Sequence, residues 1–374
     1  MRQLLITILC TLPFLAGCTK KSSNEIVIGQ YGSMTGSEAT FGQSTDKGVR
    51  LAIDEANAAG GIKGKKIKLV TMDDQGKAEE AASVVTRLIE QEKVVALLGE
   101  VASSRSLAAA PIAQSKKVPM ITPSSTNPKV TEVGDFVFRT CFIDPFQGTV
   151  MAKFATENLK AKKVAILRDV KSDYSVGLAD FFTAKLKELG GEVIEDVSYS
   201  SGDVDFKAQL TKLKTKNPEA IFIPGYYTEV GLIARQAREL GIKAPLLGGD
   251  GWDSPKLSEI GQKAIDGGYF SNHYSNETTD PVAVEFQKKF KAKYNEMPDG
   301  LSAAGYDAAK VLLKAIEQAP DLSGAAIRDQ IAKITGHDGV TGKISINDKR
   351  NATKSAVVVQ VEGQTNKFVT TVNP

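Results

Sequence analysis

The chain has 374 residues and 40.0 kDa, 42% of them hydrophobic and 24% charged, proportions of an ordinary globular protein that exclude disorder, collagen and a long coiled coil. The length predicts two domains, each large enough to bury a core without disulfide or metal staples. The 47 basic and 44 acidic residues are interspersed, which excludes a basic nucleic-acid footprint, and two histidines with three cysteines are too few for Cys/His zinc sites or haem attachment.

Met1 to Gln3 supplies a positive start, and Leu4 to Leu15 is an apolar run, shorter than the roughly 20 residues of a membrane-spanning helix. Residues 1–17 therefore read as an export signal. Leu15-Ala16-Gly17-Cys18 resembles the bacterial lipobox, which makes Cys18 the expected lipidation site and new N-terminus. Residues 18–24 read as a polar tether to the membrane. In the mature chain Cys141 stands alone, so no internal disulfide is expected.

Short apolar runs then alternate with stretches of helical period. Strands are predicted at Ile26 to Tyr31, Ile67 to Asp73, Val94 to Gly99, Pro119 to Ile121, Val164 to Arg168, Val193 to Tyr199, Ala220 to Tyr226 and Pro245 to Gly248. Spacings of three and four, as in Phe206, Leu210 and Leu213, predict amphipathic helices between them. The alternation breaks at Asp135 to Gly148, so we expect an α/β fold of two doubly wound parallel-sheet lobes. After Asp250 come a strand at Gly268 to Tyr274, three helices (Val282 to Tyr294, Leu301 to Gln318, Gly324 to Ile334) and strands at Lys343 to Ile346 and Ala356 to Val361. These helices exceed what the second lobe needs, so some return to the first and the hinge is crossed several times. The expected division is an N-terminal lobe of residues 25–144 and 273–344 and a C-terminal lobe of residues 145–272 and 345–374.

Ligands of open α/β sheets bind beyond the carboxyl ends of strands. Those positions carry Ser33, Phe41, Ser103, Ser104, Ser124 and Thr126 in the first half, and Tyr174, Tyr226, Asp250 and Trp252 in the second. Ser103 or Ser104 is expected to cap the helix that follows, whose free N–H groups attract an anion. Asp250, among glycines, suits an ammonium group, and the tyrosines suit pocket walls. Together they outline a site for a zwitterion. Catalytic signals are absent: no Gly-x-Ser-x-Gly elbow occurs, and Gly60 to Lys65 lacks phosphate-loop spacing. Asp73-Asp74 reads as a strand-end turn, not a metal site. His273, in Asn272-His273-Tyr274, and His337 read as surface or structural.

Seven blocks in order carry a resemblance over nearly all of residues 25–374. They are Gly32-Ser33-Met34-Thr35-Gly36 with Phe41-Gly42, Ala56 to Gly64, Gly99 to Ser104, Pro123 to Pro128, Asp173 to Gly177, Gly225-Tyr226-Tyr227 and Gly249-Asp250-Gly251. The chain thereby resembles the periplasmic leucine/isoleucine/valine-binding proteins, substrate-binding subunits of branched-chain amino-acid ABC importers with the type I periplasmic-binding fold. The resemblance implies that Ser103 and Thr126 hold a ligand carboxylate. It gives the ammonium to the Ser124 carbonyl, the Thr126 hydroxyl and Asp250, and the side-chain pocket to Phe41, Tyr174 and Tyr226. Asp250 stands where glutamate is common in the family, and Trp252, the single tryptophan, is expected to narrow the pocket.

A lipid-anchored, monomeric binding protein that closes on an amino acid and delivers it to ABC-transporter membrane subunits, without metal or cofactor, is the leading expectation. Another small polar solute, such as an amide, urea or aromatic acid, and an extracellular sensor on the same fold are the alternatives. A regulator of transcription is excluded by the export signal.

Overall fold

The computed structural model describes residues 24–374; the expected signal and Cys18 lie outside the described residues. β1 (Glu25–Gly32) sends Ile26 and Ile28 into one apolar cluster and Tyr31 into another, which is why its run is continuously apolar instead of alternating. Then follow α1 (Ala39–Ala58), β2 (Lys66–Asp73), α2 (Ala78–Glu90), β3 (Ala96–Leu98), α3 (Ser103–Ser115), β4 (Met120–Thr122), α4 (Lys129–Glu132) and β5 (Val137–Arg139). The five strands form a parallel sheet in the order β2-β1-β3-β4-β5.

A second set begins with α5 (Asp144–Lys153) and continues with β6 (Lys163–Asp169), α6 (Asp173–Glu188), β7 (Glu192–Tyr199), α7 (Lys207–Lys216), β8 (Ala220–Phe222), α8 (Tyr227–Glu239), β9 (Leu246–Gly248), α9 (Pro255–Gly261) and β10 (Tyr269–Asn272). The chain next forms α10 (Pro281–Tyr294), α11 (Gly300–Gln318) and α12 (Gly324–Ile331). These bury Phe286, Phe290, Leu312 and Ile327 in the cluster that holds Ile26 and Ile28, so they cover the first sheet. Helices α1 and α11 approach so closely that a Cβ on Gly48 would lie 1.9 Å from the Ser302 carbonyl oxygen.

β11 (His337–Gly339), β12 (Gly342–Ile346) and β13 (Ala352–Thr353) make a small antiparallel sheet, and β14 (Ala356–Glu362) and β15 (Thr365–Val372) return to the second sheet. Its order is β15-β14-β10-β9-β8-β6-β7, parallel from β10 to β7 and antiparallel at β14 and β15. The chain thus passes between the sheets after β5, after β10 and before β14.

In each sheet the strand order reverses once, between β1 and β3 and between β6 and β8, and the carboxyl ends beside a reversal are where an open sheet leaves a crevice. Four strands escape the sequence pattern. β5, β11 and β13 have only three, three and two residues. β15 is an edge strand of mostly exposed, polar residues, so it lacks the apolar signal of the others. β8 ends at Phe222, short of the predicted Tyr226, because the chain turns there to start α8.

Candidate functional site

The two sheets face each other across a cleft that is closed by direct hydrogen bonds. Ser104 Oγ donates to Asp173 Oδ2 (2.9 Å) and accepts from Asp173 N (3.0 Å), tying the starts of α3 and α6 together. Asn127 Nδ2 donates to the Asp173 carbonyl (2.8 Å), Thr228 Oγ1 to the Ser37 carbonyl (2.7 Å) and Gly300 N to Asp253 Oδ2 (2.6 Å).

Between these contacts lies a cavity of about 10 Å³, lined by Phe41, Val101, Ser124, Tyr174, Tyr226, Asp250, Gly251 and Leu301. That is the space of one water molecule, so an amino acid enters only with movement of the walls. Phe41 meets Tyr226 edge-on (centroids 5.3 Å apart, planes at 89°), and Tyr226 stacks on Tyr174 at 5.4 Å and 9°. Three aromatic faces are thus fixed against one another by ring geometry. Gly251 N donates to Tyr174 Oη (3.2 Å), so a tyrosine wall also orients the turn that carries Asp250. Burial raises the pKa of both Tyr174 and Tyr226, which keeps them neutral hydroxyls.

Asp250 opens a short turn directly after β9. Its Oδ2 accepts from Ser124 Oγ (3.2 Å) and lies 3.0 Å from His273 Nε2, while Oδ1 is buried without a protein partner. The Thr126 hydroxyl is likewise buried and unpartnered. It lies beside Asp144 without completing a hydrogen bond of ordinary geometry. Asp144 itself is pushed up to about 8, by burial first and then by the Asp250 charge. The loop carrying Ser124 and Thr126 is gripped from behind by Arg139, fully buried at the end of β5, which donates to the carbonyls of Ser125 (2.5 Å) and Asn127 (2.7 Å).

Of the eight ligand residues expected from sequence, Phe41, Ser124, Tyr174, Tyr226 and Asp250 line the cavity. Ser103 and Thr126 are buried beside it, Ser103 Oγ accepting from Asn127 N (3.2 Å). Trp252 corrects the expectation: it is fully buried in the apolar cluster of the second lobe, donates its indole N–H to the Ile223 carbonyl (2.9 Å), and does not line the cavity. Neither Ser103 nor Ser104 caps α3, whose N-cap is Ala102, since both hydroxyls are engaged elsewhere. His273 is not a surface residue: it follows β10 directly, fully buried, with Ser124 and Asp250 against it. The strand-end rule, applied after Asn272, would have found it. Leu301, on α11, had no such signal, because only the return of the chain to the first sheet brings it to the cleft.

A wider crevice of about 600 Å³ runs beside the cleft, lined among others by Thr40, Asp253, Ser254 and Asp299. Among the described residues no group of three or more His, Cys, Asp or Glu is placed to hold a metal ion, and no helix is long and apolar enough to cross a membrane. Cys141 is a buried free thiol, pushed up to about 12 by burial.

Comparison with known proteins bears on the same surface. The family model described as periplasmic binding protein matches residues 25–366. A Leu/Ile/Val-binding protein homologue of Brucella melitensis is 33% identical over 337 residues, 89% of each chain. Among solved structures, the leucine-binding protein LivK of Thermotoga maritima superposes with a TM-score of 0.90 at 45% identity, covering 93% of this chain and 99% of its own. The substrate-binding protein LivJ of Streptococcus pneumoniae, solved with isoleucine, superposes with a TM-score of 0.89 at 37% identity, covering 94% and 100%. With its two doubly wound sheets and interlobe cavity, the chain belongs to the periplasmic binding protein family, a family of binding proteins and not of enzymes.

Proposed function

We propose that this protein is the ligand-capturing subunit of an ABC importer for an L-α-amino acid with a branched or otherwise apolar side chain, held to the membrane by lipid on Cys18. The reading rests on one observation above all: Asp250, the one charged residue lining the cavity, keeps a buried oxygen unpartnered beside a wall of three aromatic rings. Such an oxygen suits an ammonium group, and the rings suit an apolar side chain. Ser103, the start of α3 and the Thr126 hydroxyl are the groups for the carboxylate. The residues come from both lobes, so a ligand that touches them all stabilises the closed state over the open one. The Brucella, Thermotoga and Streptococcus relatives, by their names, bind leucine, isoleucine or valine, which supports the choice of side chain.

A thermal-shift screen of the protein against amino acids, amides and aromatic acids tests the ligand. A ligand at 100 times its Kd adds about 2.7 kcal/mol of apparent stability, so branched-chain amino acids should raise the melting temperature and benzoate should not. The opposite ranking overturns the reading. For the anchor, Cys18→Ala should leave a folded protein that no longer sediments with membranes; retention in the membrane fraction after signal removal would count against it.

A further inference from the structure

His273 leads the chain out of β10 at one of the crossings between the sheets. Its ring is fully buried and packs on Phe142, with centroids 4.1 Å apart and planes at 32°. Nε2 lies 3.0 Å from Asp250 Oδ2 and 3.0 Å from Ser124 Oγ, while Nδ1 has no protein partner. Burial holds the imidazole below its ordinary pKa against the pull of Asp250, so the ring is neutral at physiological pH. A neutral imidazole carries one N–H, and Nε2, which faces a carboxylate, is where that hydrogen finds an acceptor.

Ser124, His273 and Asp250 do not form a nucleophilic relay. In a relay the serine and the acid address opposite ring nitrogens, whereas here both approach Nε2. The arrangement instead anchors a carboxylate by one edge. Oδ2 receives the Ser124 hydroxyl at 3.2 Å and the His273 N–H at 3.0 Å, so Oδ1 is the edge left over, in a residue that lines the cavity.

We propose that His273 is a positioning residue for amine recognition: as a donor from the crossing between the sheets it anchors Oδ2 of Asp250, so that Oδ1 presents the negative charge to the ammonium of the ligand. Because Ser124 comes from the first lobe and Asp250 from the second, the imidazole at the crossing also ties that presentation to the closed cleft. The inference rests on the proposed amino-acid ligand and adds the group that aims its counter-charge.

The test compares leucine with 4-methylpentanoate, which lacks only the amine, by calorimetry on the parent protein, His273→Leu and His273→Gln. The parent should prefer leucine. His273→Leu should reduce that preference at least tenfold, and His273→Gln, whose amide N–H reaches a similar position, should restore most of it. Equal weakening of both ligands in His273→Leu, or a preference left at the parent level, overturns the proposal. If His273→Leu does not fold, His273→Asn replaces it, its amide being too short to reach Asp250; an Asn variant as selective as the Gln variant overturns the proposal too. A parent that binds no amino acid fails differently, because it removes the ligand reading itself.

Discussion

The two faces of the cleft hold their charges in opposite ways. On the first-lobe face, Arg105 is enclosed by Glu38 at 2.8 Å and Glu100 at 3.1 Å, and Arg139 is spent on backbone carbonyls. The polar groups of that face at or beside the cavity, Ser103, Ser124, Thr126 and the start of α3, are neutral, while Nη2 of the buried Arg105 is left without a protein partner. On the second-lobe face the order is reversed. Neutral groups, the Ser124 hydroxyl and the imidazole of His273, hold a single acid whose other oxygen is left open. The contrast is that the cations of the first lobe are mostly committed to acids and carbonyls, with Nη2 of Arg105 left over, whereas the one charged residue that lines the cavity sits on the second. A zwitterion would then be read asymmetrically, its carboxylate by dipoles and its ammonium by a full charge.

The strongest way to break this contrast is Asp250→Asn. In a pocket that closure has emptied of bulk water, removing one member of a charge pair costs roughly 2–5 kcal/mol, so affinity for the best amino acid of the screen should fall by tens to thousands of fold. Calorimetry measures the loss. A variant that binds as tightly as the parent would mean that Asp250 is structural and that the second face carries no recognition charge.

Between the two faces sits Asp144, at the start of α5 just beyond the first crossing. Its pKa rises from the ordinary 3.8 to about 8, chiefly through burial. Between those values the folded protein holds a proton that the unfolded chain has released, so stability declines as pH rises through that window. Asp144→Asn removes the titration while keeping the shape. Asp253, pushed up to about 8, and Asp74, pushed up to about 7, titrate over the same window, so the melting-temperature difference between pH 5 and pH 8 should then shrink by roughly a third. An unchanged difference would place the pH dependence on other buried acids, with Asp253 and Asp299, both raised by burial, the next to exchange.

How far these groups could be read from the sequence follows the same division. Continuous apolar strands and helical spacings are local signals, and they gave both sheets and the helices that return to the first. The strand-end rule leads to Ser124, Tyr174, Tyr226 and Asp250, which line the cavity, because each lies within a few residues of a strand's carboxyl end, while Phe41 lies further on, in the first turn of α1. It failed where a residue's neighbours come from distant segments. Arg139 belongs to a three-residue strand, and an arginine beside a short run reads as exposed until the carbonyls of Ser125 and Asn127 close on it. Trp252 follows β9 as the rule requires, yet its indole turns inward to the Ile223 carbonyl, a direction that position along the chain does not encode. His273 escapes the rule because the predicted strand, Gly268 to Tyr274, runs through it, whereas β10 stops at Asn272.

The mildest test concerns the dipolar face. Ser103 is the first residue of α3, and its hydroxyl accepts from Asn127 N at 3.2 Å. Ser103→Ala deletes one hydroxyl but leaves the backbone N–H groups at the helix start, which hold an anion without any side chain. The expected cost is therefore about 0.5–1.5 kcal/mol, the worth of one neutral hydrogen bond, or roughly two- to twelvefold in affinity. Deaminated and intact ligands should lose it equally, since the carboxylate is common to both. If Ser103→Ala instead weakens binding as much as Asp250→Asn, the hydroxyl and not the helix start holds the carboxylate. And if Ser103→Ala abolishes binding while Asp250→Asn does not, the asymmetry runs the other way, and an acid without an amine becomes the better ligand for this cleft.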